Sequence, residues 1–446
     1  MSAAETVYEA LLERVGEANP RPRIEPVRRL AELAGSPQLS FPVIQVAGTN
    51  GKTSTSRAIE SLLRAHGLRT GLFTSPHLVD FTERFQLDGE PIDGEVLASA
   101  WQELQAPLAL VDAELASAGH GPITFFEALA VLAFTAFADA PVDVAVIEVG
   151  MGGEWDATNI VNAQVAVFTP IDLDHTAILG SDIETIARTK AGIVKPGSFV
   201  VSAEQDPAAV EELRAAAERL ETPFALAGRD FALTDDRLAV GGRMITVSGI
   251  AGVTYAPTFV PLFGHHQAQN AALAMVAVEA FFGAERGISE EVLEEGFGQL
   301  TSPGRLQLIG TEPVVYVDAA HNPHGAEALA RAVAESFSFD ELALVVGVLE
   351  EKDAAGVLAA LAPIAHRVTL TPVDSPRSTG VAELARIAGD EVPDTPVEIA
   401  ESLPEALDEA RAWAGRSPGR GVLVVGSVVL AGEAIAFARA EGWSAA

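Results

Sequence analysis

The sequence predicts an α/β protein of two domains, a larger one with a mostly parallel sheet and a smaller one after it. Apolar strands alternate with amphipathic helices almost throughout the 446 residues, which is typical of α/β folds. The pattern breaks at residues 301–305, which read Thr-Ser-Pro-Gly-Arg, and a new strand follows. A chain of this length also exceeds what one hydrophobic core usually holds. We therefore place the domains at residues 1–300 and 313–446, with a linker at 301–312.

The order of the predicted elements follows from runs of apolar residues and from helical spacing. Near-continuous apolar runs predict buried parallel strands at 41–46, 142–149, 163–169 and 199–202. Spacing of three and four residues predicts helices at 57–66, 96–115, 125–137, 183–191, 267–282 and 289–300. Short β runs broken by Asp-Asp and Gly-Gly predict hairpins between 230 and 259. The second domain is predicted to be Rossmann-like, with strands at 314–318, 343–347, 367–370 and 421–425.

A glycine-rich loop lies between the first of these strands and the helix after it. It reads Gly48-Thr49-Asn50-Gly51-Lys52-Thr53-Ser54. Such a loop surrounds a phosphate with backbone N–H groups, and the helix dipole adds to their effect. Lys52 would reach the β- and γ-phosphates, and the Thr53 hydroxyl would ligate Mg²⁺. The segment predicts a P-loop, with Val46 where the full pattern has glycine, and so the first domain is predicted to be an ATPase domain.

Other polar residues follow predicted strands, where open α/β sheets place their ligands. Glu148 ends an apolar strand, and a carboxylate there is a natural Mg²⁺ ligand because burying it without a partner costs too much. His175 follows the next strand and is a candidate second ligand. Lys190 lies in a helical pattern, where an exposed position is the more common interpretation. Asp318 and His321 form a polar cluster at a strand end of the second domain, which favours a site.

Composition limits the classes of function. The net charge of −33 argues against non-specific binding of nucleic acid or anionic membranes, which needs a basic surface. Phosphate or carboxylate ligands must therefore be held by local positive groups. The absence of cysteine excludes disulfides, thiolate metal sites and cysteine nucleophiles. Because no apolar run reaches about 18 residues and the N-terminus lacks a signal-peptide pattern, we expect a cytoplasmic protein.

Taken together, the motifs resemble the bacterial folylpolyglutamate synthase/dihydrofolate synthase family, within the wider Mur ligase group. The motifs that carry the resemblance occur in the family's order at 48–54, 74–78, 148–153, 156–159, 174–175, 190–193, 264–270, 303–305 and 318–323. The resemblance extends over nearly the whole chain, and it is the ordered set of motifs that makes it specific.

The resemblance implies roles for individual residues. ATP would be held by the loop from Gly48 to Ser54 and by Asn270, Arg305, Asp318 and His321. Two Mg²⁺ sites would use Thr53, Ser75, Glu148, His175 and Lys190, the last carbamylated by CO₂ to give an anionic ligand. Lys52, Lys190 and His321 would act in catalysis. Thr124, Phe125, Phe126 and Asp156 match the region that holds the pterin-bearing substrate.

The implied activity is ATP-dependent addition of L-glutamate to dihydropteroate, to the glutamate tail of reduced folates, or to both, through an acyl phosphate. A folylpolyglutamate synthase without the dihydropteroate activity is one alternative. A nucleotide-dependent P-loop switch protein is an alternative of another class. We expect small-molecule substrates, no nucleic acid or membrane partner, and a monomer.

Overall fold

The computed structural model describes residues 2–16 and 21–443, which form two compact units. No helix in these residues combines the length and the apolar character that crossing a bilayer requires. The first unit comprises the chain up to Asp235 together with Met244–Val260 and Gln269–Leu300, and the second comprises Asp236–Arg243, Pro261–Ala268 and the chain from Thr301.

An eight-stranded sheet forms the centre of the first unit. Its strands are β1 (Val43–Ala47), β2 (Thr70–Phe73), β3 (Phe85–Leu87), β4 (Glu90–Pro91), β5 (Val144–Glu148), β6 (Val165–Phe168), β7 (Phe199–Ser202) and β8 (Phe224–Leu226). Their order is β4-β3-β2-β5-β1-β6-β7-β8, and all neighbours are parallel except at β3 and β4. Every residue of β1, β5 and β6 is buried, as expected for parallel strands that are covered on both faces. This confirms the predicted α/β class.

Helices accompany this sheet along the first part of the chain. They are α1 (Ala3–Leu12), α2 (Glu25–Leu33), α3 (Lys52–Ala65), α4 (Gly94–Ser117), α5 (Phe125–Asp139), α6 (Thr176–Leu179), α7 (Ile183–Lys190), α8 (Pro207–Arg219), α9 (His265–Phe281) and α10 (Glu290–Gly298). The most apolar is α5, which is buried along nearly its whole length within the main hydrophobic core. Its first turn is fixed by a capping box between Thr124 and Glu127.

Three strands between β8 and α9 form a small separate sheet. They are β9 (Ala232–Ala239), β10 (Gly242–Ser248) and β11 (Thr258–Val260), in the order β11-β10-β9. Hairpins were expected in this stretch. The sequence did not indicate that the chain passes between the units here, inside β9 and again inside β10. Periodicity reports which residues form strands, whereas unit membership depends on contacts that are distant in sequence.

The second unit is built on a six-stranded sheet with five helices in the described residues. Its strands are β12 (Gln307–Thr311), β13 (Val314–Val317), β14 (Glu341–Val346), β15 (Arg367–Leu370), β16 (Val397–Ile399) and β17 (Arg420–Val425), and its helices are α11 (Pro323–Ser336), α12 (Ala354–Leu361), α13 (Val381–Glu391), α14 (Leu403–Ala414) and α15 (Val428–Ala440). The order is β12-β13-β17-β14-β15-β16, parallel except for the β12–β13 pair. The segment expected to be a linker, 301–312, therefore ends in a strand, because β12 pairs with β13 through backbone hydrogen bonds.

Candidate active site

The P-loop joins the end of β1 to the start of α3, and two glycines determine its path. Gly48 has φ of 149°, and a Cβ there would lie 2.9 Å from the carbonyl oxygen of Thr169. Gly51 has φ of 86°, and a Cβ there would lie 2.6 Å from Oδ1 of Asn270. Positive φ and lack of space both exclude a side chain at these positions. The structure thereby places Asn270, a predicted nucleotide ligand on α9, directly against the loop.

Backbone groups of the loop are tied to the segment that follows β6. The N–H groups of Thr49 and Asn50 donate to the carbonyl of Pro170, at 2.9 and 3.4 Å. The Thr49 hydroxyl also bonds Asp172, donating to its carbonyl and accepting from its N–H, each at 3.0 Å. These bonds fix the path of the loop against residues 170–172.

Two lysines converge on the carbonyl oxygens of the P-loop. Lys52 Nζ lies 3.1 Å from the oxygen of Thr49 and 3.3 Å from that of Gly48, and Lys190 Nζ donates to the same Gly48 oxygen at 2.8 Å. Lys190 is 4% exposed, so the expectation of an exposed position was wrong. Burial and the nearby charge of Lys52 lower the pKa of the Lys190 amine to about 7. The lowered pKa favours the unprotonated amine.

A cluster of oxygen atoms lies at the start of α3. The Thr53 hydroxyl donates to the two carboxylate oxygens of Glu148 at 2.9 and 3.0 Å, and the N–H of Ser75 lies 3.4 Å from the same carboxylate. Glu148 is 1% exposed and ends β5, next to β1 in the sheet. Hydroxyl and carboxylate oxygens are the donors that Mg²⁺ prefers. The oxygens of Thr53 and Glu148, two residues predicted to bind metal, are thus together and suit this ion, and Ser75 approaches them through its backbone N–H.

His175 has a different setting. It has φ of 51°, precedes the four-residue helix α6 and is exposed, with Nε2 3.9 Å from the carboxylate of Asp174. Across residues 2–16 and 21–443, no group of three or more His, Cys, Asp or Glu side chains is arranged to hold a metal. The predicted set contains only two residues of these types. Metal binding by His175 stays a prediction.

The predicted substrate region lies at the start of α5. The Thr124 hydroxyl accepts from the N–H of Glu127 at 3.3 Å, and the Glu127 carboxylate accepts from the N–H of Thr124 at 2.7 Å. Arg23 donates to both oxygens of that carboxylate, at 2.7 and 2.8 Å. The two side chains are 19% and 6% exposed, so this is a bidentate ion pair between a partly buried arginine and a buried glutamate. It holds the entry of α5 to the segment before α2.

The other predicted substrate residues are mostly committed to contacts within the protein. Phe125 is 3% exposed and packs in the main core. Phe126 is partly buried, and a Cβ at Gly150 would collide with its ring. The Asp156 carboxylate accepts from the N–H of Met151 and of Thr158, each at 2.9 Å, and burial raises its pKa. Contact of these residues with substrate stays a prediction, and Asp156 also organises its own loop.

Three predicted nucleotide residues lie together in the second unit. Asp318 is 6% exposed and accepts from the N–H groups of Leu306 and Ala320, each at 2.8 Å. Burial raises the pKa of this carboxyl, and the charge of Arg305 opposes the shift. The Nδ1 of His321 lies 2.9 Å from the carbonyl of Ala319, so this nitrogen carries the proton.

Comparisons with known proteins identify the family of this chain. Residues 94–278 match the Mur ligase middle domain, and residues 304–428 match the Mur ligase glutamate ligase domain. A dihydrofolate synthase/folylpolyglutamate synthase of Mycobacterium tuberculosis is 44% identical over 93% of this chain and 90% of its own length. The chain belongs to the folylpolyglutamate synthase/dihydrofolate synthase family of Mur ligases. It is therefore an ATP-dependent ligase, and the alternative of a P-loop switch protein was wrong.

Solved structures of this family share the whole fold. Mycobacterium tuberculosis folylpolyglutamate synthase complexed with ADP superposes with a TM-score of 0.92 at 42% identity, covering 98% of both chains. Escherichia coli FolC in complex with DHPP and ADP has a TM-score of 0.85 at 30% identity, covering 99% of both chains. The predicted nucleotide-binding ligase class is confirmed.

Sequence reasoning did not find the Arg23–Glu127 pair of this family member. The capping-box pattern at Thr124 and Glu127 is visible in the sequence and signals the start of α5. It gives no indication that an arginine 104 residues earlier takes the same carboxylate. Long-range partners of this kind depend on how helices pack and have no local signature.

Proposed function

We propose that this ligase joins L-glutamate to dihydropteroate, to the glutamate tail of reduced folates, or to both. The γ-phosphoryl group of ATP passes to a substrate carboxylate, giving an acyl phosphate and ADP. The amine of L-glutamate then attacks the acyl carbon, the amide C–N bond forms, phosphate leaves and the amine loses a proton. Such a reaction needs positioning and neutralisation of charge more than a covalent catalyst.

The contact of Thr53 with Glu148 beside the P-loop carries this proposal. It combines a P-loop hydroxyl with a buried carboxylate at a strand end, as phosphoryl-transfer sites do. Thr53, Glu148 and Ser75 would hold one Mg²⁺, and His175 and Lys190 would contribute to a second. When bound, Mg²⁺ neutralises negative charge on the phosphates. Lys52 would bind the same phosphates.

Carbamylation of Lys190 is part of the proposal. The unprotonated amine would add to CO₂, forming an N–C bond and releasing one proton, and the product is an anionic carbamate. Burial of Lys190 next to the Gly48 oxygen supports this, since a buried ammonium is costly and a carbamate offers oxygen ligands to a hard cation. Lysine is the side chain whose pKa shifts most readily on burial.

Four further residues belong to the proposed nucleotide site. Asn270 lies against Gly51 of the P-loop, which supports a role next to the bound phosphates. Arg305, Asp318 and His321 would also bind the nucleotide, and His321 would act in catalysis. Exclusion of water from the site would protect the acyl phosphate. A cytoplasmic location and a monomeric state belong to the same proposal.

The acceptor carboxylate belongs either to dihydropteroate or to the glutamate tail of a reduced folate. Thr124, Phe126 and Asp156 occupy the predicted pterin region, and Escherichia coli FolC, which is 30% identical, was solved with DHPP and ADP. Both points favour the bifunctional activity over folylpolyglutamate synthesis alone. ADP release should be measured with ATP, L-glutamate and either dihydropteroate or tetrahydrofolate. Release that depends on glutamate with both acceptors supports the bifunctional form, and none with either acceptor would refute the proposal.

The carbamate has a test of its own. Lys190→Ala should lose activity, and a small carboxylic acid added to the assay should restore part of it by supplying the missing anion. Lys195→Ala is a matched control, because Lys195 is also partly buried but bonds the carbonyl of Gly192 rather than the P-loop. Full activity of Lys190→Ala, or equal stimulation of the control by the acid, would contradict the carbamate.

A further inference from the structure

A network of polar and charged side chains in the second unit, with a buried centre and half-exposed outer members, has no part in the reaction proposed above. Asp236 on β9 accepts hydrogen bonds from Nε of Arg243 on β10 and, at 2.6 Å, from Nδ1 of His265 at the start of α9. Arg243 also donates to Glu335 of α11 at 3.3 Å. The Arg243 and Asp236 side chains are only 8% and 9% exposed. We call these four residues the Asp236 network.

A gain in stability does not explain such a network well. Removing two charges from water costs about as much as their attraction returns, so buried ion pairs often add no more stability than apolar residues of the same size. What they impose is geometry, because a guanidinium and a carboxylate bond only in particular orientations. The Asp236 network therefore holds β9, β10, α9 and α11 in a definite arrangement.

The members of the network lie where the chain passes between the two units. Asp236 is the first residue of the second unit within β9, and Arg243 is the last within β10. His265 lies in the first turn of α9, just before the helix passes into the first unit after Ala268. Asp236, Arg243 and His265 thus lie at or close to three of the points where the chain passes between the units. Asp236 bonds both of the others, and Arg243 also bonds Glu335 on α11 of the second unit.

One of these connections leads directly to the P-loop. The helix α9 is continuous from His265 to Phe281, and Asn270 lies five residues after His265, a rise of about 7.5 Å. Oδ1 of Asn270 is the atom that a Cβ at Gly51 would meet at 2.6 Å. His265, which bonds the network, and Asn270, which lies against the P-loop, therefore belong to one continuous helix.

We propose that the Asp236 network positions the first turn of α9, and through it Asn270, for nucleotide binding at the P-loop. Its members are positioning residues, since they act through Asn270. This inference rests on the proposed function in one respect, namely that Asn270 and the P-loop bind the nucleotide. It adds that residues at the points where the chain passes between the units influence the affinity for the nucleotide.

Calorimetric titration with ADP tests the proposal without requiring turnover. Asp236→Asn keeps the size of the side chain but removes the carboxylate that pairs with Arg243 and bonds Nδ1 of His265. We expect ADP to bind roughly 3- to 30-fold more weakly, the range found when positioning contacts are altered. The ATP KM should rise correspondingly, while kcat at saturating ATP should fall much less.

A double-mutant cycle tests whether Asp236 acts through Asn270. In an Asn270→Ala background, Asp236→Asn should change ADP affinity by less than about twofold, because the contact through which it acts is already missing. An equal effect in both backgrounds would overturn the proposal. So would an Asp236→Asn protein that melts at a lower temperature and binds ADP as tightly as the parent.

Two further variants keep the test decisive. Glu341→Gln is a matched control, since Glu341 pairs with Arg420 across neighbouring strands of the same unit, away from the connections, and ADP affinity should not change. If Asp236→Asn does not fold, Glu335→Gln removes an outer, half-exposed member of the network and should still weaken ADP binding. Unchanged ADP affinity in Glu335→Gln would then overturn the role of the Asp236 network and leave the proposed function standing. A parent protein that does not bind ADP would overturn both.

Discussion

Replacement of Glu148 by glutamine separates the proposed catalytic role of this carboxylate from its contribution to folding. Glutamine has the same size, and its amide oxygen can still accept the Thr53 hydroxyl hydrogen bond, now 2.9 Å long. A hydrogen bond to a charged group is worth about 1.5–3 kcal/mol, against about 0.5–1.5 kcal/mol for a neutral pair. That loss is offset because a 1% exposed group no longer has to be buried as an ion.

The two effects nearly cancel in folding, so the free energy of unfolding should change by less than about 1 kcal/mol. Activity should respond differently, because the negative charge that would hold Mg²⁺ beside the P-loop is lost. Removal of one preorganised charge-stabilising group typically lowers kcat by about 10²–10³-fold, or about 2.7–4 kcal/mol. We also expect the Mg²⁺ concentration for half-maximal activity to rise.

The assay is ADP release at saturating ATP, glutamate and folate acceptor, repeated over a series of Mg²⁺ concentrations, with thermal unfolding followed in parallel. Glu127→Gln is the matched control, because Glu127 is also a buried glutamate but its carboxylate is bonded to Arg23. That variant should lose stability rather than Mg²⁺ dependence. A Glu148→Gln enzyme with kcat within about threefold of the parent, a difference under 1 kcal/mol, would refute the assignment.

Three other changes should have measurable effects. Gly48→Ala should abolish tight ADP binding and lower stability by about 1–3 kcal/mol, seen by calorimetry and thermal melting, because its Cβ would meet Thr169. Burial, together with nearby arginines and histidines, lowers the pKa of His266 to about 4, below its unfolded value of about 6.5. Protons therefore bind more tightly to the unfolded chain, and this group should lower the free energy of unfolding by about 2 kcal/mol between pH 8 and pH 5. In urea titrations at several pH values, the free energy of unfolding of His266→Gln should lack this contribution. Arg23→Met should destabilise by about 3–5 kcal/mol because Glu127 is left buried and charged, and Arg23→Met/Glu127→Leu should recover most of the loss in the same urea assay.

The predictable part of the fold came from local pattern. The strands β1, β5 and β6 are apolar runs, and they lie within one or two residues of their expected positions because a fully buried parallel strand has no polar alternation. The helix α5 begins at Phe125, as the helical spacing of its apolar residues predicted. The expected linker at 301–312 differed from the structure, since β12 is only recognisable once its partner β13 is known.

The candidate site was predictable to the extent that its residues lie in motifs. Thr53, Ser75 and Glu148 come from three distant segments, and their meeting follows from the neighbouring positions of β1, β2 and β5 in the sheet. The burial of Lys190 could not be predicted from a motif or from periodicity. Its helical pattern is equally compatible with an exposed side chain, and only its bond to Gly48, far away in sequence, reveals a buried amine.

From the order of residues alone came the α/β class, the P-loop, the family and most of the residues proposed to bind ATP and Mg²⁺. These properties are encoded locally, as periodicity, turn residues and short motifs. The tertiary structure decided the burial of Lys190, the Arg23–Glu127 ion pair and the Asp236 network at the connections between the units. Each of these depends on side chains from elements far apart in the chain, and their distance and burial exist only after the sheets and helices have packed.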